Sequence, residues 1–548
     1  MGIATLGAFG IGQYAEGVAV MLFYAIGELF QMLAVRRAKS NIKSLLDQRP
    51  DLANVIEGGN IISKKASEVT IGEIIELKPG EKLALDGKLL SDYATFNTAA
   101  LTGESKPDTK SKGEVILAGM INLNTVSQVE VTTAFTDSKL SKILEMVQEA
   151  TAKKAPTELF IRKFAKIYTP IVVYLAIAIC VLPMIFIHNY VFKDWLYRAL
   201  VFLVISCPCA LVISIPLGYF GGIGAASKNG ILFKGSTFLD IIASVKVVIF
   251  DKTGTLTKGV FKVQKVVAVG IPEADLIRYT AAIETKSTHP MGSAIIEFAK
   301  DHTKATSVTE VKEIPGLGLK GFVDGKEILV GNAKLMKNYN IAYDAEIDTI
   351  PFTIILVAVN QKYAGYFIIA DEVKQDAKEA IRNLHTLNVE TIMLSGDNQS
   401  IVSVVAKELN IDKAFGNLLP ENKVEKLAAL LKQNLSVAFV GDGVNDAPVI
   451  ALANVGIAMG GLGSDATIET ADVVIQNDQP TKIYTAINIG KKTKQIVWQN
   501  IFLAFTVKLI VLVMGAGGLA TMWEAVFADV GVALLAILNA VRIQRIKF

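Results

Sequence analysis

Five windows of roughly 20 apolar residues, each long enough to cross a bilayer, punctuate this chain at about 15–35, 168–187, 199–219, 497–519 and 523–541. Two long charged inserts separate them. That alternation excludes both an ordinary soluble fold and a purely membrane-embedded one, and it places the 51% hydrophobic content in blocks instead of spreading it along the 548 residues. Residues 2–12 are apolar but too short to cross, and they read as the end of a helix whose beginning is missing. Basic residues flank the cytoplasmic ends of the spans: Arg36, Arg37, Lys39 and Lys43, then Lys491, Lys492 and Lys494, then Arg542, Arg545 and Lys547. The connections 188–195 and 515–522 are short and poor in such residues, as expected of the opposite side.

Lys and Arg number 55 against 52 Asp and Glu, so no basic surplus suggests nucleic acid as a partner. The three cysteines, Cys180, Cys207 and Cys209, all fall inside apolar segments. A disulfide framework is not expected of them, and the inserts read as cytosolic. The N-terminus lacks the basic start and small-residue cleavage site of a removable signal.

The first insert, about 38–154, alternates apolar and polar residues at 73–78 and 115–117 with glycine punctuation, which predicts a mostly β domain between helical pieces. In the second, about 227–495, the apolar runs 245–250, 391–394 and 436–440 are each followed by a turn and helix-like sequence. Such alternation predicts a doubly wound parallel sheet.

Asp251-Lys252-Thr253-Gly254-Thr255-Leu256-Thr257 follows the first of those runs, placing Asp251 at the carboxyl end of a parallel strand, where open α/β sheets hold their ligands. An isolated Asp there is usually a cap. Here Gly441-Asp442-Gly443-Val444-Asn445-Asp446 follows another strand, so Asp251, Asp442 and Asp446 supply the hard oxygen ligands that Mg²⁺ and phosphate require. A carboxylate so placed can be a nucleophile, as in the aspartyl-phosphate of ATPases, which is a standing example of covalent catalysis. Thr253 is spaced to contact the transferred phosphoryl, Lys423 of Leu419-Pro420-Glu421-Asn422-Lys423 offers a fixed positive charge, and Ser395-Gly396-Asp397 adds a polar turn. Lys252 joins the catalytic set.

These motifs together resemble the P-type ATPases. The resemblance implies a multidomain membrane protein: a transmembrane helical bundle (1–37, 155–226 and 481–548), a β-rich actuator domain (38–154), a haloacid dehalogenase-like doubly wound α/β phosphorylation domain (227–258 and 371–480) and an α+β nucleotide-binding domain (259–370). It implies that Thr102, Gly103 and Glu104 of Thr102-Gly103-Glu104-Ser105 form the actuator loop, with Glu104 positioning water against phospho-Asp251. It also implies that Glu284 and His289 of Ser287-Thr288-His289-Pro290 contact the adenine end of ATP, while Gly316, Gly318, Gly331 and Asn332 let backbone approach the nucleotide and Asp397 belongs to the same cofactor set.

Cys207-Pro208-Cys209 interrupts the third span, and a proline there frees backbone groups that lipid cannot satisfy. Two thiols at such a break can bind a soft or borderline metal, whereas Cys180 reads as packing. Lys508 lies near the centre of the fourth span, where a charge is functional by default. Asp529 of Asp529-Val530-Gly531 in the last span is its natural partner, and with two thiolates it makes a mixed S/O site suited to Zn²⁺. This set resembles the zinc, cadmium and lead branch of the heavy-metal ATPases, truncated at the N-terminal membrane helices. That likeness implies Lys508 as a counter-charge, Glu16 at the exit and Glu28 as a further candidate. The expected activity is ATP-driven export of Zn²⁺, Cd²⁺ or Pb²⁺ with Mg²⁺ and ATP, by a monomer in a bacterial plasma membrane supplied by a cytosolic metal donor. The rivals are a Cu⁺ exporter and a metal-binding fragment that does not pump.

Overall fold

The computed structural model describes residues 2–46, 50–98, 107–138, 141, 156–206, 209–287, 289–300, 307–442, 446–460, 469–517 and 519–548. The chain divides into two compact units, 1–246 with 430–438 and 447–548, and 247–429 with 439–446.

In the first unit, four helical segments among the described residues are long and apolar enough to cross a membrane: Lys166–Phe186, Phe192–Lys228, Thr481–Gly515 and Met522–Arg545. The remaining predicted span lies in the helix Tyr14–Leu46, preceded by the short helix Gly2–Gly10. Ala4, Ala8, Leu200, Val204, Met522, Ala525 and Val526 of these helices form one buried cluster, in which the alanines let backbones approach closely. Outward-facing Phe502, Leu509, Val513 and Phe527 are more than half exposed, the pattern of helices whose outer solvent is hydrocarbon. The third predicted span falls on the described helical stretches Phe192–Ile205 and Cys209–Lys228, on either side of Cys207 and Pro208, which lie outside the described residues. It runs well beyond 199–219 because its cytoplasmic part continues past the apolar window to Lys228.

The first insert is β-rich as predicted. A six-stranded sheet and a three-stranded sheet, with antiparallel pairings throughout their described registers, enclose Val55, Ile75, Leu83, Leu85, Phe96, Ile116 and Val129. The strand Ser127–Val131 shows the cause, its residues alternating strictly between buried and exposed. Where the chain leaves the membrane, Asp240 of the helix Ser236–Ile242 receives Thr157 Oγ1 at 3.3 Å and lies 3.5 Å from Lys494 Nζ. The strands Ile231–Phe233 and Val473–Ile475 pair antiparallel, while Val473–Ile475 runs parallel to Val455–Met459. The sheet expected to be parallel therefore carries an antiparallel edge, a common finish for such sheets.

The second unit has parallel strands Val247–Asp251, Glu390–Leu394 and Lys413–Phe415. A six-stranded antiparallel sheet is inserted after the first of them, opened by Thr257–Ala268 and closed by Lys362–Val373. Helices Glu273–Glu284 and Pro290–Phe298 cover one face through Leu276, Ile283, Ile295, Val330, Val357 and Phe367. The long opening and closing strands carry this sheet two or three residues beyond the expected limits 259–370.

Candidate functional site: a phosphorylation centre, a nucleotide cavity and an intramembrane ion pair

All five residues of Val247–Asp251 are buried, so the strand delivers the Asp251 carboxylate into a buried site. Lys423 Nζ stands 2.5 Å from Asp251 Oδ1 and 2.9 Å from Asp446 Oδ1. Asp251, Asp442 and Asp446 each bring a carboxylate oxygen within 4.8 Å of the others. Burial raises Asp251 to about 7, the charge of Asp446 adds to the rise, and Lys423 opposes it. Burial pulls Lys423 down, but the two carboxylates outweigh it and hold its ammonium above the usual range. Three hard oxygen donors around one point fit Mg²⁺, which binds through carboxylates plus substrate phosphates. A divalent ion there also favours the ionised, nucleophilic form of Asp251.

The loop after Asp251 is shaped around this cluster. Gly254 has φ +71°, and a Cβ on it would lie 1.5 Å from Asp442 Oδ2. Lys374 Nζ donates to the Gly254 carbonyl at 2.6 Å, and Thr257 Oγ1 bonds the Lys252 carbonyl and the Asp371 carboxylate. Lys374 and Asp371 were not anticipated. Their only signal is the polar turn Asp371-Glu372-Val373-Lys374 at the end of a long strand. Lys252 pairs with Asp397, so Asp397 sits beside the phosphorylation loop; it does not line the cavity that gathers the other residues of the cofactor set. With Thr253 and Asp371 they line a second cavity of about 670 Å³.

A cavity of about 340 Å³ gathers the other predicted nucleotide residues, Glu284, His289, Gly316, Gly318, Gly331 and Asn332. Gly318 and Gly331 face each other across the strand pair, and a Cβ on either would fall 2.1 Å from a backbone carbonyl. Asn332 is partly structural, since its amide donates to Gly316 O at 2.9 Å and its Oδ1 caps the helix Ala333–Asn338. His289 caps the helix Pro290–Phe298, its Nδ1 accepting from Met291 N–H at 3.3 Å. Burial pushes Glu284 up to about 7, against the Ser287 hydrogen bond and with a contribution from Glu313. Ile314, Leu317, Ile354 and Ile355 give the cavity an apolar wall that sequence reading did not assign.

In the membrane unit, Lys508 Nζ donates to Asp529 Oδ1 at 2.7 Å and to the Ile205 carbonyl at 3.0 Å. Both side chains are more than nine-tenths buried. Cys207 and Pro208, the Cys209 side chain, and Thr102, Gly103 and Glu104 lie outside the described residues. Cys180 is buried against Ala176 and Ala199, as a packing residue should be. Glu16 accepts from Tyr197 Oη at 2.7 Å, and that oxygen also accepts from Met522 N–H, a junction not anticipated. Glu28 is exposed and bonded to Tyr24 one turn away in its own helix, and does not join the Lys508–Asp529 pair.

Comparison with known proteins identifies the family. Residues 47–148 match the P-type ATPase actuator domain and 245–454 the haloacid dehalogenase-like hydrolases. The chain is 51% identical over 549 residues to a zinc-transporting ATPase of Synechocystis, covering all of this chain and 76% of that one. It is 49% identical over 552 residues to a cadmium, zinc and cobalt-transporting ATPase of Bacillus subtilis, covering 100% and 78%. A crystal structure of a zinc-transporting PIB-type ATPase in the E2·Pi state superposes with a TM-score of 0.67 at 33% identity, covering 99% of this chain and 89% of the other. The chain belongs to the P-type ATPases, and within them to the PIB branch.

Proposed function

We propose that this protein uses ATP to move Zn²⁺, Cd²⁺ or Co²⁺ across a membrane, with Cys207, Cys209 and Asp529 holding the ion. The observation that carries the reading is the buried Lys508–Asp529 pair, a carboxylate in the membrane interior already matched to a cation. Cobalt, named for the Bacillus relative, widens the set expected from the sequence. The likeness to zinc and cadmium transporters favours this branch over the Cu⁺ reading.

Asp251 attacks the γ-phosphorus of ATP and ADP leaves, with Lys423 offsetting charge on the nucleophile and the phosphoryl oxygens. Asp251, Asp442 and Asp446 would hold Mg²⁺, which would supply further charge neutralisation. Glu284 and His289 hold the adenine end, and Glu104 directs the water that later cleaves the acyl phosphate. The inserts face the cytoplasm of a bacterial cell, on the side marked by the flanking Lys and Arg residues.

The test is metal uptake into sealed vesicles with Zn²⁺, Cd²⁺, Co²⁺, Pb²⁺ and Cu⁺, comparing the intact chain with Asp251→Asn. Divalent uptake that requires ATP and Asp251 is expected. Equal uptake by both proteins, or stimulation by Cu⁺ alone, refutes the reading.

A further inference from the structure

The two cavities of the second unit share two side chains. Met291 and Thr353 line both the smaller cavity, which holds Glu284 and His289, and the larger one, which holds Lys252 and Thr253 of the phosphorylation loop. The cavities are therefore two parts of one cleft, and a molecule that fills both has to pass Met291 and Thr353. Thr353 opens the strand Thr353–Val359, in which it is the one polar side chain, and it stays half-buried. A β-branched residue suits a strand, but valine would suit it as well, so the hydroxyl itself is not explained by the fold. Its Oγ1 has no hydrogen-bond partner among the described residues.

A second polar side chain reaches the same place through an irregularity of the sheet. Along Thr257–Ala268 the pairing with Lys362–Val373 slips between Val263, opposite Ile369, and Lys265, opposite Ile368, so Gln264 is the extra residue of a bulge. Bulges re-aim a side chain and recur beside active sites. Gln264 lines the larger cavity, and Ile369 pairs on its other edge with Thr353. Three adjacent strands thus bring the Gln264 carboxamide and the Thr353 hydroxyl to one level of the cleft.

We infer that Thr353 and Gln264 seat the ribose of ATP, hydrogen-bonding its 2′ and 3′ hydroxyls and giving the enzyme a preference for ribonucleotide over deoxyribonucleotide. This rests on the proposed placement of the adenine end at Glu284 and His289 and extends it. The order of groups in the nucleotide makes the assignment. With the base against Ile314 and Ile355 and the γ-phosphoryl at Asp251, the sugar is what crosses the junction. A vicinal diol both donates and accepts, as a hydroxyl and a carboxamide do, while the Met291 thioether offers an adaptable apolar surface. Neutral partners suit an uncharged sugar, and the cations Lys252 and Lys423 stand at the phosphoryl end.

The experiment phosphorylates the full chain, in detergent with Zn²⁺, from γ-³²P-labelled ATP, 2′-deoxy-ATP and 3′-deoxy-ATP, following the initial rate against nucleotide concentration. The intact chain is expected to half-saturate with ATP at a concentration about two- to tenfold lower than with at least one deoxy analogue, the range of one net hydrogen bond. Thr353→Val and Gln264→Leu are each expected to raise the value for ATP by a similar factor and to leave unchanged that of the analogue lacking the hydroxyl they held. Thr353→Ser, which keeps the hydroxyl, is expected to keep the preference. A packing role would weaken all three nucleotides equally. That outcome, or equal values for ATP and both analogues in the intact chain, overturns the ribose seat, and a weakened ATP affinity in Glu284→Ala then leaves the adenine placement standing. An unchanged ATP affinity in Glu284→Ala overturns that placement, and the ribose seat with it.

Discussion

Replacing Gly254 by alanine tests how closely the phosphorylation loop is fitted to Asp442. The new Cβ would start 1.5 Å from Asp442 Oδ2. Ordinary contact needs about 3.5 Å, so the carboxylate has to retreat by about 2 Å. The backbone at φ +71° adds about 1–2 kcal/mol of left-handed strain for a residue with a Cβ. That strain is local and leaves the fold intact, whereas misplacing a catalytic group by about 1 Å already costs on the order of 10²-fold in rate. Incorporation of ³²P from γ-labelled ATP is therefore expected to slow by about 100-fold or more, with the Mg²⁺ dependence shifted to higher concentration. The decisive comparison places the same change in an Asp442→Ala background, where no carboxylate oxygen remains to collide. There the added loss is expected to fall to about tenfold or less, the share left to backbone strain. A wild-type rate and Mg²⁺ midpoint in Gly254→Ala, or equal penalties in the two backgrounds, would refute the fitted-loop account.

Lys508→Met leaves Asp529 buried without its ammonium, a loss of about 3–5 kcal/mol if the carboxylate stays charged. Protonation of Asp529 absorbs part of this, so apparent Zn²⁺ affinity is expected to rise about tenfold or more while transport falls. Chelator competition and vesicle uptake read the two effects, and an unchanged affinity contradicts the pairing. Glu284 has its pKa raised to about 7 by burial, and in the proposed nucleotide contact its ionised form accepts a stronger, charge-assisted hydrogen bond from the adenine amino group than its protonated form does. Nucleotide affinity should therefore strengthen between pH 6 and pH 8, by up to about tenfold. Glu284→Gln should bind with a flat profile, and a slope retained in that variant would move the titration to another group. Lys423→Met removes the cation shared by Asp251 and Asp446 and is expected to slow phosphorylation by about 10²-fold or more, measured by rapid quench. A near-normal rate would remove Lys423 from the chemistry.

Much of this was legible because the residues concerned carry their chemistry in their type. Asp251 after an apolar run, two more carboxylates after another, and a lysine amid apolar residues each announce a role. The β-rich first insert and the doubly wound sheet of the second followed from periodicity, which distinguished alternating strands from buried ones, whereas the inserted nucleotide-binding domain came from the family resemblance. Geometry between distant residues was not legible. Nothing near Gly254 says that Asp442 leans on it, and nothing in the Ser395-Gly396-Asp397 turn names Lys252 as the partner of Asp397. The helix Thr481–Ala516 exceeds its apolar window for a similar reason. Hydropathy marks only the stretch in lipid, while Lys491, Lys492 and Lys494 belong to the same helix continuing into water.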